Sequence, residues 1–157
     1  MPQFAHADLL GHRRVVTGLN AAGQSAVIID APVPVLADIS AALVWQSKAQ
    51  PADNSGSADT AEPYTVAMLH NPGSTFAICT FAPGSHEVMH ATDTIDYLVI
   101  LSGQVTLVTE QGEAALGPGD LVVDRGVLHG WRNLSDTPCV AVAVNIPAHP
   151  VGAGRTV

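Results

Sequence analysis

This sequence of 157 residues has few charged side chains and few aromatic ones. Charged residues make up 13% of the chain and aromatic residues 4%, whereas apolar residues make up 47%. Disordered chains combine low hydrophobicity with high net charge, so this composition excludes a largely disordered protein. The length suits one domain that can bury a sizeable core, and we interpret residues 1–157 as a single domain.

Positive charge is also scarce. The 6 Lys and Arg residues are outnumbered by 14 Asp and Glu residues, which gives a net charge of −8. A negative surface repels phosphate backbones and anionic lipids, so neither nucleic acid nor a membrane surface is an expected partner. No apolar run approaches the roughly 18 residues that a membrane span requires. The N-terminus lacks the basic-then-apolar order of a signal peptide, and we expect a soluble, cytoplasmic protein.

Cysteine is nearly absent. Cys79 and Cys139 lie far apart in the sequence, each inside an apolar run. Free cysteine behaves as a small buried hydrophobe, so we expect two buried free thiols. A disulfide between them is the alternative, and no sequence feature supports it.

Short strand-like segments separated by turns are what the sequence has in abundance. Glycine (14) and proline (11) supply the turn residues. About ten such segments, with almost no helical periodicity, predict an antiparallel sandwich or barrel. We expect a loose arm over residues 1–14 and a hairpin directly after it. Residues 39–47 fit a strand or a short helix, and their β-branched and aromatic content favours a strand.

The polar segment "KAQPADNSGSADTAEPY", residues 48–64, predicts a long mobile loop. Loops of this length are uncommon in compact domains and often functional. A solvated insertion and a functional loop both remain open.

The stretch "PGSHEVMHATDTIDYLVILSG", residues 83–103, places imidazoles and carboxylates among strand residues. Side chains two apart share a face of a strand, so His86, Val88, His90 and Thr92 lie on one side of "SHEVMHAT". Asp96 shares a face of the next segment with Leu98 and Ile100. If the two segments pair around a turn at Asp93, Asp96 comes near His90 across the ladder.

A second motif, "GPGDLVVDRGVLHGWRN", puts His129 at the start of a short strand, on one face with Trp131 and Asn133. A carboxylate facing a barrel interior is costly unless it is paired or metal-bound. Imidazole beside carboxylate is a natural beginning of a metal site.

At these residues the sequence resembles the cupin superfamily. His90 stands six residues before Asp96, and Gly103 stands seven residues after it, as in the first cupin motif. Gly126, His129 and Asn133 keep the spacing of the second motif. Thr92 replaces the second histidine of the first motif, and an aspartate replaces its glutamate. The resemblance covers roughly residues 75–146.

The resemblance implies an all-β, double-stranded β-helix (jelly-roll) barrel with a central metal site. It implies His90, Asp96 and His129 as metal ligands, with His86 as a weaker fourth candidate that only a bulge could bring in. Two histidines and one carboxylate form the set that holds non-haem Fe²⁺, which we favour over Zn²⁺, Mn²⁺ or Ni²⁺. A metal-free site, in which a His–Asp hydrogen bond satisfies both groups, stays open. Cupins of this size are commonly dimers, so a homodimer is expected.

The substrate pocket is expected to contain Thr92, Leu98, Ile100 and Trp131, with Val88 as an apolar neighbour. Such a pocket suits a small, partly hydrophobic organic molecule. We interpret Asp93 as a turn residue, Tyr97 as pointing away from the cavity, and Arg125 as a solvated turn residue.

Three functions follow from this site. The first is a metal-dependent enzyme, either dioxygenase-like or a Lewis-acid lyase, isomerase or decarboxylase, with the oxidoreductase slightly favoured. The second is a non-catalytic module that binds a small molecule. The third is a metal-free enzyme in which His90 or His129 acts as general acid or base.

Overall fold

The protein is built of short antiparallel β-strands. The computed structural model describes residue 9 and residues 11–36 and 40–157. The predicted arm over residues 1–14 lies mostly outside this range; within it, Leu9 is buried and the first strand already begins at Arg13. In the described residues the strands are β1 (Arg13–Leu19), β2 (Ser25–Pro32), β3 (Ala41–Gln46), β4 (Thr75–Phe81), β5 (Thr94–Ser102), β6 (Val105–Thr109), β7 (Gly112–Leu116), β8 (Leu121–Asp124), β9 (His129–Arg132) and β10 (Cys139–Pro147).

The strands form a hairpin and two larger sheets. The hairpin is β1–β2, the larger sheet has the order β3-β4-β10-β5-β8, and the smaller sheet has the order β7-β6-β9. All the registered pairs are antiparallel. The predicted all-β jelly-roll fold is confirmed, as is the strand assignment within residues 39–47, whose residue 39 lies outside the described range.

The segment "EVMHAT" is not the strand that the sequence predicts. It carries one isolated bridge, His90 to His129, and a second bridge, Ser85 to Asn133, lies just before it, so the segment runs along the edge of β9. Its predicted pairing with β5 is wrong, because β10 and β8 flank β5 instead and place Asn145 and Asp124 opposite Asp96. A strand inside a sheet pairs with two neighbours only, so β5 has no free edge with which the segment containing His90 could pair.

Two apolar clusters form the core. Between the sheets, Ile100, Cys139 and Ala141 pack with Val105, and Trp131 and Leu116 pack against them. On the outer face of the larger sheet, a second cluster contains Leu9, Val33, Ala42, Ile78 and Val140. The two clusters lie on opposite faces of the larger sheet because successive side chains along a strand point to opposite faces.

The long polar loop predicted for residues 48–64 contains no strand or helix. A short 3₁₀ helix that the sequence did not predict follows it, at Val66–His70. In the described part of the chain no helix is long and apolar enough to cross a membrane. Cys79 and Cys139 are free thiols, as predicted.

Candidate functional site

A cavity of about 160 Å³ lies inside the barrel, and His90, Asp96 and His129 are among the residues that line it. Both sheets and the segment around the 3₁₀ helix contribute to its wall. The lining residues are Ala41, Tyr64, Leu69, Ala77, Cys79, Phe81, His90, Thr92, Asp96, Leu98, His129, Trp131, Ala143 and Asn145. The mixture of apolar walls and a few polar groups is typical of a small-molecule site.

His90 and His129 form a pair at one side of the cavity. Their backbones bond reciprocally, N–H to carbonyl, at 2.8 and 2.9 Å, which holds the two rings 4.4 Å apart between centroids. Nδ1 of His90 donates to the carbonyl of Val88 at 2.9 Å, and Nδ1 of His129 donates to that of Val127 at 2.8 Å. A carbonyl oxygen only accepts, so each Nδ1 carries a hydrogen. Nε2 of each ring makes no hydrogen bond within the described chain and, in the neutral ring, keeps its lone pair.

Asp96 is a buried carboxylate with an unsatisfied oxygen. Its residue is 7% exposed, and Oδ1 has no hydrogen-bond partner in the described part of the chain. Burial raises the pKa of Asp96, with Asp124 acting in the same direction, while the neighbouring Asn145 and Thr94 side chains oppose the shift. An unpaired buried oxygen costs free energy, so Asp96 is poised to accept a partner inside the cavity.

Asp124 is a site residue that the sequence reasoning missed. Its Oδ2 lies 2.9 Å from Nδ1 of His129, and its Oδ1 accepts from the Gly126 N–H at 2.9 Å. The Nδ1 hydrogen of His129 is donated to the carbonyl of Val127. Oδ2 of Asp124 therefore interacts with the His129 ring electrostatically and accepts no hydrogen bond from it. Burial lowers the pKa of His129, but Asp124, the Val127 carbonyl and Asp96 together outweigh it, and the net pKa is raised. The signal was available: Asp124 ends an alternating strand on the same face as buried Val122.

Gly126 holds the turn between β8 and β9 in place. Its φ is +72°, a left-handed conformation that favours glycine, and a Cβ there would collide with the carbonyl oxygen of Thr92. The turn that carries Asp124 and His129 is thereby pressed against the start of β5.

Most of the predicted pocket residues lie where they were expected. Thr92, Leu98 and Trp131 line the cavity, and the Thr94 hydroxyl donates to that of Thr92 at 2.8 Å. Ile100 does not line it: the residue is 1% exposed and belongs to the core cluster between the sheets, one step further along β5. Tyr97 points outward, as its parity predicted.

His86 and Val88 lie outside the cavity, contrary to the shared face that a regular strand would give. Both residues are exposed, and Val88 is 77% exposed. The reason is the irregular stretch between Ser85 and His90, which spans five residue steps against four on β9. That extra residue is a bulge, but it turns His86 to the surface rather than inward.

Part of the cavity wall comes from residues outside the strands, which the strand pattern does not predict. Tyr64 and Leu69 come from the end of the polar loop and from the 3₁₀ helix. Cys79 lines the cavity as well, and burial raises the pKa of its thiol to about 12, so it is an unreactive wall.

The donor types present suit a metal ion, but their placement does not form a completed site. Among the described residues, no group of three or more His, Cys, Asp and Glu side chains is arranged to hold one ion.

A larger groove, of about 320 Å³, lies along the smaller sheet. Its charged residue, Arg132, is already paired with Glu113 and Glu87. Unlike the barrel cavity, it presents no free imidazole or carboxylate, so we place the functional site in the barrel.

The chain is similar to several proteins of fungal origin. It is 42% identical over 81 residues to the phomopsin biosynthesis cluster protein C' of Diaporthe leptostromiformis, covering 50% of this chain and 43% of that protein. It is 29% identical over 135 residues to the cupin-domain-containing oxidoreductase srdB of Neurospora crassa, covering 85% of this chain and 60% of that protein. The chain thus spans less than two thirds of either relative.

A solved cupin 2 conserved barrel domain protein from Salinispora arenicola aligns at 22% identity and a TM-score of 0.45, over 55% of this chain and 71% of that one. The family model for the cupin domain, Cupin_2, matches residues 77–145. That range contains His90, Asp96, Asp124 and His129 and runs from β4 to β10. Over residues 77–145 the chain therefore contains a cupin domain.

Proposed function

We propose that this protein is an enzyme of the oxidoreductase class that acts on a small, partly apolar organic molecule in the barrel cavity. The observation that carries the proposal is that two histidines, His90 and His129, and Asp96 with its unpaired carboxylate oxygen line one cavity walled by apolar and aromatic residues. Similarity to cupin-domain-containing oxidoreductases supports the class. A cavity of about 160 Å³ limits the substrate, or the part of it that enters, to a small group.

The predicted ligands His90, Asp96 and His129 stay a prediction, with Fe²⁺ favoured over Zn²⁺, Mn²⁺ or Ni²⁺ and with dioxygenase-like chemistry ahead of Lewis-acid lyase or isomerase chemistry. The Nε2 lone pairs and the unsatisfied Oδ1 are the donors that such an ion uses. The side chains would have to shift to bring all three to one point.

The second candidate is acid–base catalysis by His129 without an ion. The contact with Asp124 favours it, because a carboxylate at Nδ1 stabilises a protonated imidazole and directs Nε2 to the cavity. Here His129 would bind the substrate, hold a proton at Nε2 and pass it to a substrate atom in the cavity.

Metal analysis separates these candidates. The protein is purified without added metal, loaded anaerobically with Fe²⁺, desalted, and measured by inductively coupled plasma mass spectrometry. The metal-dependent proposal expects close to one ion per chain, and loss of the ion in His90→Ala, Asp96→Ala and His129→Ala. His86→Ala is the matched control, since that imidazole is exposed and outside the cavity.

A protein that retains no ion, but loses turnover in Asp124→Asn and His129→Ala, would support the acid–base candidate. A metal-free protein that turns over no substrate, yet gains melting temperature with a small molecule, would contradict both and indicate a binding module.

A further inference from the structure

The end of the polar loop is fastened to the barrel. We call residues 59–64 the strap. Arg14, 7% exposed, holds Asp59 through both terminal guanidinium nitrogens and also donates to the Val44 carbonyl at 3.0 Å. This is a bidentate ion pair with one buried partner, so the strap begins at a fixed point.

Further contacts continue along the strap. The backbone N–H of Gln46 donates to Oγ1 of Thr60 at 3.0 Å, and its side-chain amide donates to Glu62. Lys48 donates to the same Glu62 carboxylate at 2.8 Å. The strap therefore lies against the end of β3 and places its last residue, Tyr64, at the cavity.

Tyr64 lines the cavity together with Asp96 and Cys79. Burial raises the pKa of its phenol to about 12, and the negative charge of Asp96 acts in the same direction. The hydroxyl makes no hydrogen bond to the described part of the chain. A phenol with this pKa keeps its proton at neutral pH, so the Tyr64 hydroxyl is free to donate a hydrogen bond to a bound molecule.

We propose that Tyr64 is a specificity-determining residue that donates a hydrogen bond to an oxygen atom of the bound molecule, while the strap fixes its ring over the cavity. The ligand class is accordingly a small, partly aromatic or aliphatic molecule with a carbonyl, ether or hydroxyl oxygen. The inference rests on the proposed function in one respect, that the barrel cavity is the ligand site. A site built to donate to such an oxygen discriminates against the analogue that lacks it.

The test uses two matched probes and the full chain. Dissociation constants of 4-fluoroacetophenone and of 1-ethyl-4-fluorobenzene, which lacks the carbonyl, are measured by ¹⁹F NMR titration. The wild type should bind the ketone roughly fivefold more tightly than the hydrocarbon, the size of one hydrogen bond. Tyr64→Phe should abolish this preference and leave hydrocarbon binding unchanged. Tyr97→Phe, a tyrosine on the outer face, should keep the wild-type preference.

The hydrocarbon affinity also reports whether each variant is folded, and Tyr64→Leu provides a second variant without the hydroxyl. An undiminished ketone preference in Tyr64→Phe or Tyr64→Leu would overturn the role of Tyr64 while leaving the cavity as the ligand site. Equal binding of both probes to the wild type would overturn it as well. Failure of both probes to bind the wild type would overturn the proposed function of the cavity and the inference with it.

Discussion

At the scale of the residue, the site depends on where each ring nitrogen and carboxylate oxygen finds its partner. His90 and His129 use the same local device, an Nδ1 hydrogen bonded to the carbonyl two residues earlier. They differ in their surroundings, since Asp124 adds a buried charge beside His129 alone. Asp124 therefore favours the protonated form of His129.

We expect Asp124→Asn to lower the pKa of His129 in metal-free protein. The substitution removes the carboxylate that raises this pKa and leaves the desolvation that lowers it. The measurement is a pH titration of the imidazole carbon-bound proton by NMR. Asp120→Asn is the control, because Asp120 is exposed and its carboxylate accepts from Gly117 outside the cavity. A His129 titration that does not move in Asp124→Asn would contradict the assignment.

At the scale of the element, the strap is held by the ion pair between Arg14 and Asp59, whose side chains differ in exposure. The Arg14 side chain is 6% exposed and that of Asp59 is 43% exposed. Removing the carboxylate leaves a buried guanidinium without its charge partner, and an unpaired buried charge destabilises the folded protein. The exposed pair Arg13–Asp30 on the hairpin offers a comparison in which water screens both groups.

We expect Asp59→Asn to reduce the free energy of unfolding by about 1 kcal/mol at pH 7, a value kept low because the carboxylate is partly screened. Asp30→Asn should change it little. Urea denaturation followed by Trp fluorescence measures both.

The pH dependence of the Asp59 contribution has a definite sign. The Arg14 hydrogen bond holds the pKa of Asp59 below its ordinary value of 3.8. The contribution is thus fully present above that unfolded-state pKa and is lost as the pH falls through the lower folded-state pKa. The difference between wild type and Asp59→Asn should shrink below about pH 4; a deficit that grows in acid would contradict the ion pair.

At the scale of the whole molecule, the larger sheet has two unlike halves on its outer face. One half is covered by Leu9 and Val33. The other exposes Phe76, Tyr97 and Val123, which the strand register places side by side through Val144 of β10. Apolar side chains adjacent across strands form a patch rather than scattered exposure, and such patches often mark contacts between chains.

The homodimer implied by the cupin resemblance stays a prediction, and this patch is where we expect it. Sedimentation velocity over a range of concentrations should show a dimer that Val123→Glu converts to monomer. Val88→Glu should not affect it, because Val88 is also exposed but lies beside β9. A wild-type monomer at every concentration, or a dimer unchanged by Val123→Glu, would remove the patch from the interface.

The sequence by itself determined the strands and the residues of the two cupin motifs. Alternation of buried and exposed residues is a local property with a period of two, so β4 to β10 and the outward direction of Tyr97 could be predicted from it. Tertiary structure decided which strands are neighbours, and hence that Asp96 faces Asp124 and Asn145 rather than His90. It also turned His86 outward through a one-residue bulge and brought Tyr64 to the cavity on a tethered loop. Those outcomes depend on contacts between residues far apart in the chain, such as Arg14 with Asp59, and no short-range pattern specifies them.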